Sequence, residues 1–208
     1  MRFVAISDTH CRHLSIRLPK GDVLLHAGDI SYRGKKQEMI DFLTWMVRQD
    51  FQHKIFIAGN HDFYFEQTNR EEIGNLVPKG ITYLNDSGIT VNGIRIWGSP
   101  VTPWYFRWAF NRQRGASIRK HWELIPPDTN LLLTHGPAYG ILDMVINEQH
   151  AGCRDLLQRV QEIRPAVHVC GHIHESYGST RRNGTYFINA CVHNEYYELV
   201  NRPVVFDM

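Results

Sequence analysis

The stretch GDVLLHAGDI, residues 21–30, places a carboxylate directly after an apolar run. Its core, Val23 to Leu25, is typical of a fully buried strand. The run ends at Asp29, just past a glycine. In α/β sheets, ligands bind in the crevice beyond the carboxyl ends of the strands. The stretch therefore predicts a buried strand that holds an acid at a ligand site.

Four other strand patterns end in side chains of the same kind. They are VAIS before Asp8-Thr9-His10, IFIAG before Asn60-His61-Asp62, LLLT before His135, and VHVC before Gly171-His172-Ile173-His174. Most of these motifs are weak alone, since a single histidine after a strand is usually structural and Gly-Asn-His-Asp is most simply a turn, whereas Gly-His-x-His is moderately specific. Five such loops in one chain favour a shared site at one edge of the sheets.

The rest of the sequence indicates a mixed α/β architecture. Apolar residues at helical spacing predict three helices, in 35–49, 119–125 and 153–163. Asn-Gly pairs predict two hairpins, at 92–93 and 183–184. Two closing strands are predicted, at 196–200 and 203–208. Early strand–helix alternation with later hairpins predicts an α/β (α+β) protein of two mixed β-sheets flanked by helices. No repeat or linker interrupts the chain, so we expect a single domain, 1–208.

Composition narrows the class of protein. The chain has 208 residues, 43% of them hydrophobic, and a formal net charge of +2. That charge predicts neither a membrane nor a stable nucleic-acid partner, although a local basic patch would not show in the total. Four scattered cysteines without a CxxC pair favour reduced thiols and a cytoplasmic location. We find no signal-peptide pattern and no apolar run long enough to span a bilayer.

The strand-end side chains are metal ligands by type. The seven candidates are Asp8, His10, Asp29, Asn60, His135, His172 and His174. Oxygen and imidazole donors without thiolate suit Mn, Fe, Zn or Ni better than a purely oxygen-preferring cation. Seven ligands are too many for one tetrahedral site but suit two ions that share a carboxylate. Asp29 is the natural bridge because a carboxylate has two oxygens.

The motifs, in this order, resemble the calcineurin-like metallophosphoesterase superfamily. The resemblance runs from Asp8 to His174 through Asp-x-His, Gly-Asp, Gly-Asn-His-Asp, a strand-end His-Gly and Gly-His-x-His. The stretches GSPVTPWYFRWAFNRQRG (98–115) and THGPAYGILD (134–143) are further similar to the small MPPED-type subgroup of cyclic-nucleotide phosphodiesterases. The resemblance implies a four-layer αββα sandwich, the metallophosphoesterase fold, with a dinuclear centre above the strand ends.

The resemblance also implies a role for each ligand. Asp8, His10 and His174 hold one ion; Asn60, His135 and His172 hold the other; Asp29 bridges them. His61 faces the phosphate beside Asn60 and serves as the proton donor. The superfamily often has an acid or amide, three residues after the bridging aspartate, that orients this histidine, but here the position is Tyr32. His61 therefore needs another partner, either Asp62 or a backbone carbonyl.

The function implied is that of a metal-dependent phosphoric ester hydrolase. Two divalent transition-metal ions, Mn first and Fe, Zn, Ni or Co as alternatives, would hold a bridging hydroxide that attacks phosphorus. The expected substrate is a phosphodiester, in particular a small cyclic nucleotide. A phosphomonoesterase, a phosphoprotein phosphatase or a nuclease with the same centre are the alternatives. A non-catalytic scaffold is disfavoured because no expected ligand is missing.

Substrate recognition is predicted in the aromatic and arginine-rich stretch PVTPWYFRWAFNRQR, residues 100–114. Aromatic faces stack on nucleobases and arginine forks match phosphates, so we select Asn111 and Arg112 as substrate contacts. The same aromatic residues would also suit packing on the sheet or a contact between two copies of the chain in a homodimer.

Overall fold

Two β-sheets packed face to face form the centre of the computed structural model, which describes residues 1–208. The first sheet has the strand order β13-β1-β2-β3-β4. Its strands are β1 (Arg2–Ile6), β2 (Val23–Ala27), β3 (His53–Ile57), β4 (Ile81–Leu84) and β13 (Val204–Asp207). All neighbours in it are parallel except β13, which is antiparallel to β1.

The second sheet has the order β11-β12-β10-β9-β6-β5. Its strands are β5 (Ser87–Val91), β6 (Ile94–Ser99), β9 (Leu131–Thr134), β10 (Val167–Cys170), β11 (Gly178–Arg182) and β12 (Thr185–Asn189). The central strands are parallel, and the outer pairs β5–β6 and β11–β12 are antiparallel hairpins. A short pair, β7 (Thr102–Pro103) and β8 (Asn111–Arg112), stands apart.

Five α-helices complete the architecture. They are α1 (Lys36–Val47), α2 (Phe63–Gln67), α3 (Arg70–Leu76), α4 (Ala116–Glu123) and α5 (Arg154–Ile163). The predicted helices are confirmed as α1, α4 and α5, whereas α2 and α3 were not predicted. No helix has the length and apolar character needed to cross a membrane.

Alternation along the strands divides the core into layers. In β1, Phe3 and Ala5 face the second sheet, while Val4 and Ile6 belong to the cluster that packs under α1. This follows from strand geometry, since successive side chains point to opposite faces. A third cluster joins the outer face of the second sheet to α4 and α5. The order helix, sheet, sheet, helix confirms the predicted αββα sandwich of two mixed sheets.

Local turn chemistry explains where the strand predictions succeed and fail. The Asn-Gly pairs at 92–93 and 183–184 have positive φ at both residues and join β5–β6 and β11–β12, as predicted. The predicted strand at 196–200 is wrong, because the chain turns there. The amide oxygen of Asn194 accepts hydrogen bonds from the backbone N–H groups of Tyr196 and Glu198. Such side-chain-to-backbone bonds compete with strand pairing.

The closest approach of the two sheets depends on a residue without a side chain. A Cβ placed on Gly98 of β6 would lie 2.5 Å from the Cβ of Leu84 and 2.7 Å from a methyl of Ile57, both in the first sheet. Both contacts are to apolar side chains packed in the core, so neither could move aside without disturbing the packing of the two sheets. Gly98 therefore sets the distance between the sheets.

We predict that Gly98→Ala destabilises the fold by about 1–3 kcal/mol through overpacking. The matched control is Gly74→Ala, where nothing lies within 4 Å of the added methyl in the exposed helix α3. That control should raise stability by about 0.5–1 kcal/mol, because alanine is the better helix former. Urea denaturation of both variants measures the difference. Equal free energies of unfolding would refute the account of the interface.

Candidate metal centre

Loops from both sheets bring the predicted metal ligands together at one edge of the sandwich. In the first sheet, Asp8 follows β1, Asp29 follows β2 and Asn60 follows β3; in the second, His135 follows β9 and the pair 172–174 follows β10. Their polar atoms contact one another across up to 164 residues of sequence. All seven predicted metal-ligand residues meet at this edge.

Asp29 lies at the middle of the cluster, and its two oxygens face different groups. Its Oδ1 is 3.3 Å from Nε2 of His135, which in turn lies 2.9 Å from Oδ1 of Asn60. Its Oδ2 is 3.9 Å from Nε2 of His10 and 3.9 Å from Nε2 of His61. The carboxylate thus lies between two sets of donors, as the sequence predicts.

The set on the Oδ2 side extends to Asp8 and His174. Nε2 of His174 is 3.5 Å from Oδ1 of Asp8 and 3.4 Å from Nε2 of His10. The thiol of Cys191 donates to Oδ2 of Asp8 at 3.0 Å. Cys191 was not singled out from the sequence, and no motif or spacing marks it.

On the other side of Asp29, His135 and His172 form a second set. The ligand atoms of these two residues and of Asp29 lie within 4.8 Å of one another. The backbone N–H of His172 donates to both oxygens of Asp8, at 3.1 and 3.0 Å, which ties the two sets together.

Backbone carbonyls fix the tautomers of the four histidines His10, His61, His135 and His174, whose Nε2 atoms lie near Asp8 or Asp29. In each of them Nδ1 lies against a carbonyl oxygen, which can only accept, so Nδ1 must carry the proton. The pairs are His10 with Ser31 (3.1 Å), His61 with Tyr32 (2.9 Å), His135 with Ala27 (2.8 Å) and His174 with Asn194 (3.0 Å). In the neutral rings, Nε2 is then a lone-pair donor directed at the centre. Metal-ligating histidines are oriented in this way.

Backbone strain is concentrated in the ligand loops. Asp8, His10, Asp29 and His172 all have positive φ, between 40° and 71°. Non-glycine residues adopt this region uncommonly, and such conformations cluster at functional sites. A Cβ on Gly171 would overlap Oδ2 of Asp8, so the loop after β10 can approach that carboxylate only at a glycine.

Asp62 anchors the two loops that carry Asp29 and Asn60. Its buried carboxylate accepts backbone N–H groups from Ile30 (3.2 Å), Ser31 (2.9 Å) and Gly59 (2.8 Å). It also accepts the Ser31 hydroxyl at 2.7 Å. Asp62 is therefore occupied, and His61 is oriented instead by the Tyr32 carbonyl. The sequence left two possible partners for His61, Asp62 or a backbone carbonyl, and the structure shows the carbonyl. It belongs to Tyr32, the residue that stands where relatives often have the orienting acid or amide.

The buried carboxylates and histidines of the cluster shift one another's pKa values. Burial alone would raise the pKa of Asp29, but the neighbouring His135 and His61 hold it well below its usual value. Burial likewise opposes protonation of His135 and His174, yet the charges of Asp29 and Asp8 raise the pKa of each to about 9. For His10 burial dominates and lowers the pKa to about 4. Protons on His135 and His174 thus offset part of the negative charge of the buried carboxylates.

The predicted substrate contacts already have partners within the chain. The Asn111 amide donates to Thr102 Oγ1 at 2.8 Å and accepts from the Tyr105 N–H at 3.0 Å. Arg112 pairs with Glu66 at 3.1 Å. Their contact with a substrate stays a prediction. From the same stretch, Trp108 lies against His61, with ring centroids 4.4 Å apart.

Comparison with known proteins agrees with this geometry. The profile of the calcineurin-like phosphoesterases matches residues 1–176. The chain belongs to the calcineurin-like phosphoesterase family, whose members use divalent metal ions to act on phosphoesters. The resemblance inferred from the motifs is thereby confirmed.

Individual relatives place the chain more narrowly. It is 41% identical over 231 residues to human metallophosphoesterase domain-containing protein 1, covering 100% of this chain and 71% of that protein. It is 37% identical to a UPF0046 protein of Caenorhabditis elegans, covering 99% of this chain and 74% of that protein. The solved structure of TT1561 of Thermus thermophilus matches with a TM-score of 0.59 at 10% identity, covering 90% and 88% of the two chains. This last likeness concerns the fold alone.

We predict that Asp62→Ala destabilises the protein by roughly 3 kcal/mol or more, because several buried donors lose a charged acceptor. Manganese affinity should fall as well, since the loops holding Asp29 and Asn60 lose their anchor. The control is Asp41→Ala, an exposed carboxylate on α1 whose loss should change stability by about 0.5 kcal/mol or less. Thermal unfolding and metal titration test this. A variant as stable and as metal-competent as the control would contradict the anchoring role.

We also predict that metal binding releases protons. Ions bind neutral imidazole, and the metal-free pKa of His135 and His174 is about 9, so at pH 7 binding should release about two protons. Affinity should rise with pH from 6 and level off above about 9. Calorimetry in two buffers of different ionisation enthalpy measures the release. A heat of binding that does not depend on the buffer would rule it out.

Proposed function

We propose that the protein is a metal-dependent phosphodiesterase with a dinuclear centre. The observation that carries the proposal is the orientation of the histidines at Asp29. Four imidazoles are held by carbonyls with Nε2 directed at a pair of buried carboxylates. Buried carboxylates need positive charge close by, which either protons on the imidazoles or bound cations can supply. The donor set is thus one that divalent cations would stabilise.

The arrangement suits two ions rather than one. We assign Asp8, His10 and His174 to the first ion and Asn60, His135 and His172 to the second. Asp29 would contribute one oxygen to each, in keeping with the different groups that its Oδ1 and Oδ2 face. Imidazole and carboxylate donors suit manganese, iron, zinc, nickel or cobalt, and manganese is our first choice.

When bound, the two ions supply Lewis acidity that activates a water molecule and offsets negative charge on the phosphoryl group. The chain itself supplies the proton. Because Nδ1 of His61 is bonded to the Tyr32 carbonyl, only Nε2 is free to exchange a proton with the substrate. This nitrogen lies beside Oδ2 of Asp29, at the mouth of the centre. His61 is therefore placed to donate a proton to the departing alkoxide oxygen.

The substrate we propose is a small phosphodiester, in particular a cyclic nucleotide. The similarity to metallophosphoesterase domain-containing proteins supports a phosphoester substrate. The cyclic nucleotide rests on the resemblance of residues 98–115 and 134–143 to MPPED-type phosphodiesterases, and the modest net charge offers little attraction for a long nucleic acid. A cytoplasmic location and pairing of two copies through the aromatic residues of 104–110 are consistent with the sequence and stay predictions.

The direct test is hydrolysis by metal-stripped protein to which Mn²⁺ is returned. The panel contains 2′,3′- and 3′,5′-cyclic nucleotides, phosphate monoesters, a phosphopeptide and single-stranded DNA. We expect metal-dependent turnover of cyclic nucleotides. Turnover confined to monoesters would replace the diesterase by a phosphomonoesterase, and no turnover of any ester would refute the proposal.

We predict that His61→Ala lowers kcat by about 10²- to 10⁴-fold, the usual loss for an acid–base group, with metal content unchanged. The loss should be smaller for p-nitrophenyl esters, whose leaving group needs no proton. His150→Ala, a half-exposed histidine paired with Asp143 outside the centre, is the control. Loss of metal from the His61 variant, or an equal loss with every leaving group, would contradict the role of proton donor.

A further inference from the structure

Tyrosine rings border one half of the candidate metal centre. The Tyr197 ring lies 5.1 Å from the His10 ring and 5.0 Å from the His174 ring, centroid to centroid. Tyr32 stands edge-on to Tyr197 at 6.3 Å and lies 6.3 Å from His61. These two rings, which we term the tyrosine wall, thus face the half of the centre that contains His10 and His61.

The other half has no such wall. The only ring in aromatic contact with His135 is that of His172, at 4.9 Å, and no tyrosine, tryptophan or phenylalanine lies beside either. The centre is therefore asymmetric. A planar group on a bound phosphoester would find apolar ring surface on the side of His10 and His61, and none on the opposite side.

The tyrosine wall is not explained by packing in the core. Tyr197 is 43% exposed and Tyr32 is 52% exposed, so much of each ring surface faces solvent. Large apolar rings left exposed beside a cluster of polar groups are typical of a binding site. Tyr197 also has a φ of 57°, which is unusual for a bulky residue.

The loop that carries Tyr197 is built into the centre. The carbonyl of Asn194 orients His174, and the N–H of Tyr197 donates back to the Asn194 carbonyl at 3.0 Å. The amide of Asn194 donates to Glu198 at 2.8 Å and closes the turn. The same turn therefore orients His174, a candidate metal ligand, and holds the Tyr197 ring beside it. The positive φ of Tyr197 is part of this turn.

We propose that Tyr197, with Tyr32, is a specificity-determining contact that binds the planar ring of an aryl or nucleoside group attached to the phosphoryl group in the centre. This inference rests on the proposed function and adds the residues that select the substrate. Stacking of a base on an aromatic side chain strengthens binding enough that loss of one ring lowers affinity roughly tenfold.

The test uses two ligands that are not hydrolysed, phenylphosphonate and methylphosphonate, which share a phosphonate head and differ in the ring. Dissociation constants for both are measured by calorimetry on the manganese-loaded protein, with metal content determined for each variant. We expect the wild-type protein to prefer phenylphosphonate. Tyr197→Leu should weaken phenylphosphonate roughly tenfold and leave methylphosphonate unchanged.

The control is Tyr196→Leu, the neighbouring tyrosine, which is 70% exposed and contacts no ring of the centre. It should bind both ligands like the wild-type protein. Tyr32→Leu is a second variant outside the 194–198 turn, and it should reduce the preference for phenylphosphonate in the same direction. If Tyr197→Leu disturbs His174 and loses metal, the Tyr32 variant still tests whether the tyrosine wall selects the ring of the ligand.

Two results would overturn the inference while the proposed function stands. One is equal affinity of the wild-type protein for the two phosphonates. The other is a loss in the Tyr197 and Tyr32 variants that is the same for both ligands, or no loss at all. Failure of the proposed function looks different, because then the manganese-loaded protein would bind neither phosphonate and hydrolyse no ester.

Discussion

The arrangement of this protein's site depends on hydrogen bonds from imidazole Nδ1 to backbone carbonyls. A carbonyl accepts only, so each bond leaves Nε2 as the free nitrogen and directs it at Asp8 or Asp29. The result is a buried cluster of imidazole nitrogens around two carboxylates, whose negative charge is only partly offset by the backbone N–H groups of His172 and His61 and by the Cys191 thiol. Protons on two histidines balance part of the charge in the metal-free chain. Divalent cations would balance it better, which links the fold to metal chemistry.

The arrangement of the two sheets brings the ligand loops together. Both present the carboxyl ends of parallel strands at the same edge, β1 to β3 from one sheet and β9 and β10 from the other. Gly98 lets the sheets approach, Gly171 lets a loop of the second sheet reach Asp8, and Asp62 ties together the loops after β2 and β3. The ligand loops accept positive φ because these surroundings fix them more strongly than local preference does.

The sequence predicted those elements of the structure that are marked by the type and spacing of side chains. Runs such as Val23 to Leu25, the helical spacing of α1 and the Asn-Gly turns marked strands, helix and hairpins, and the strand-end motifs marked all seven candidate ligands. What it left open or missed depends on three-dimensional contacts. The sequence left the partner of His61 open between Asp62 and a backbone carbonyl, because every residue has a carbonyl and no pattern marks that of Tyr32. The turn at Asn194 replaced a predicted strand through side-chain-to-backbone bonds, and so brought Tyr197 to the centre.

The central proposal is that two cations would share Asp29. The most direct measurement is anomalous scattering from crystals of the manganese-loaded protein, recorded at the manganese absorption edge. The account predicts two peaks at the edge formed by the ligand loops, one beside Oδ1 and one beside Oδ2 of Asp29. A single peak, or two peaks of which neither touches Asp29, would contradict it.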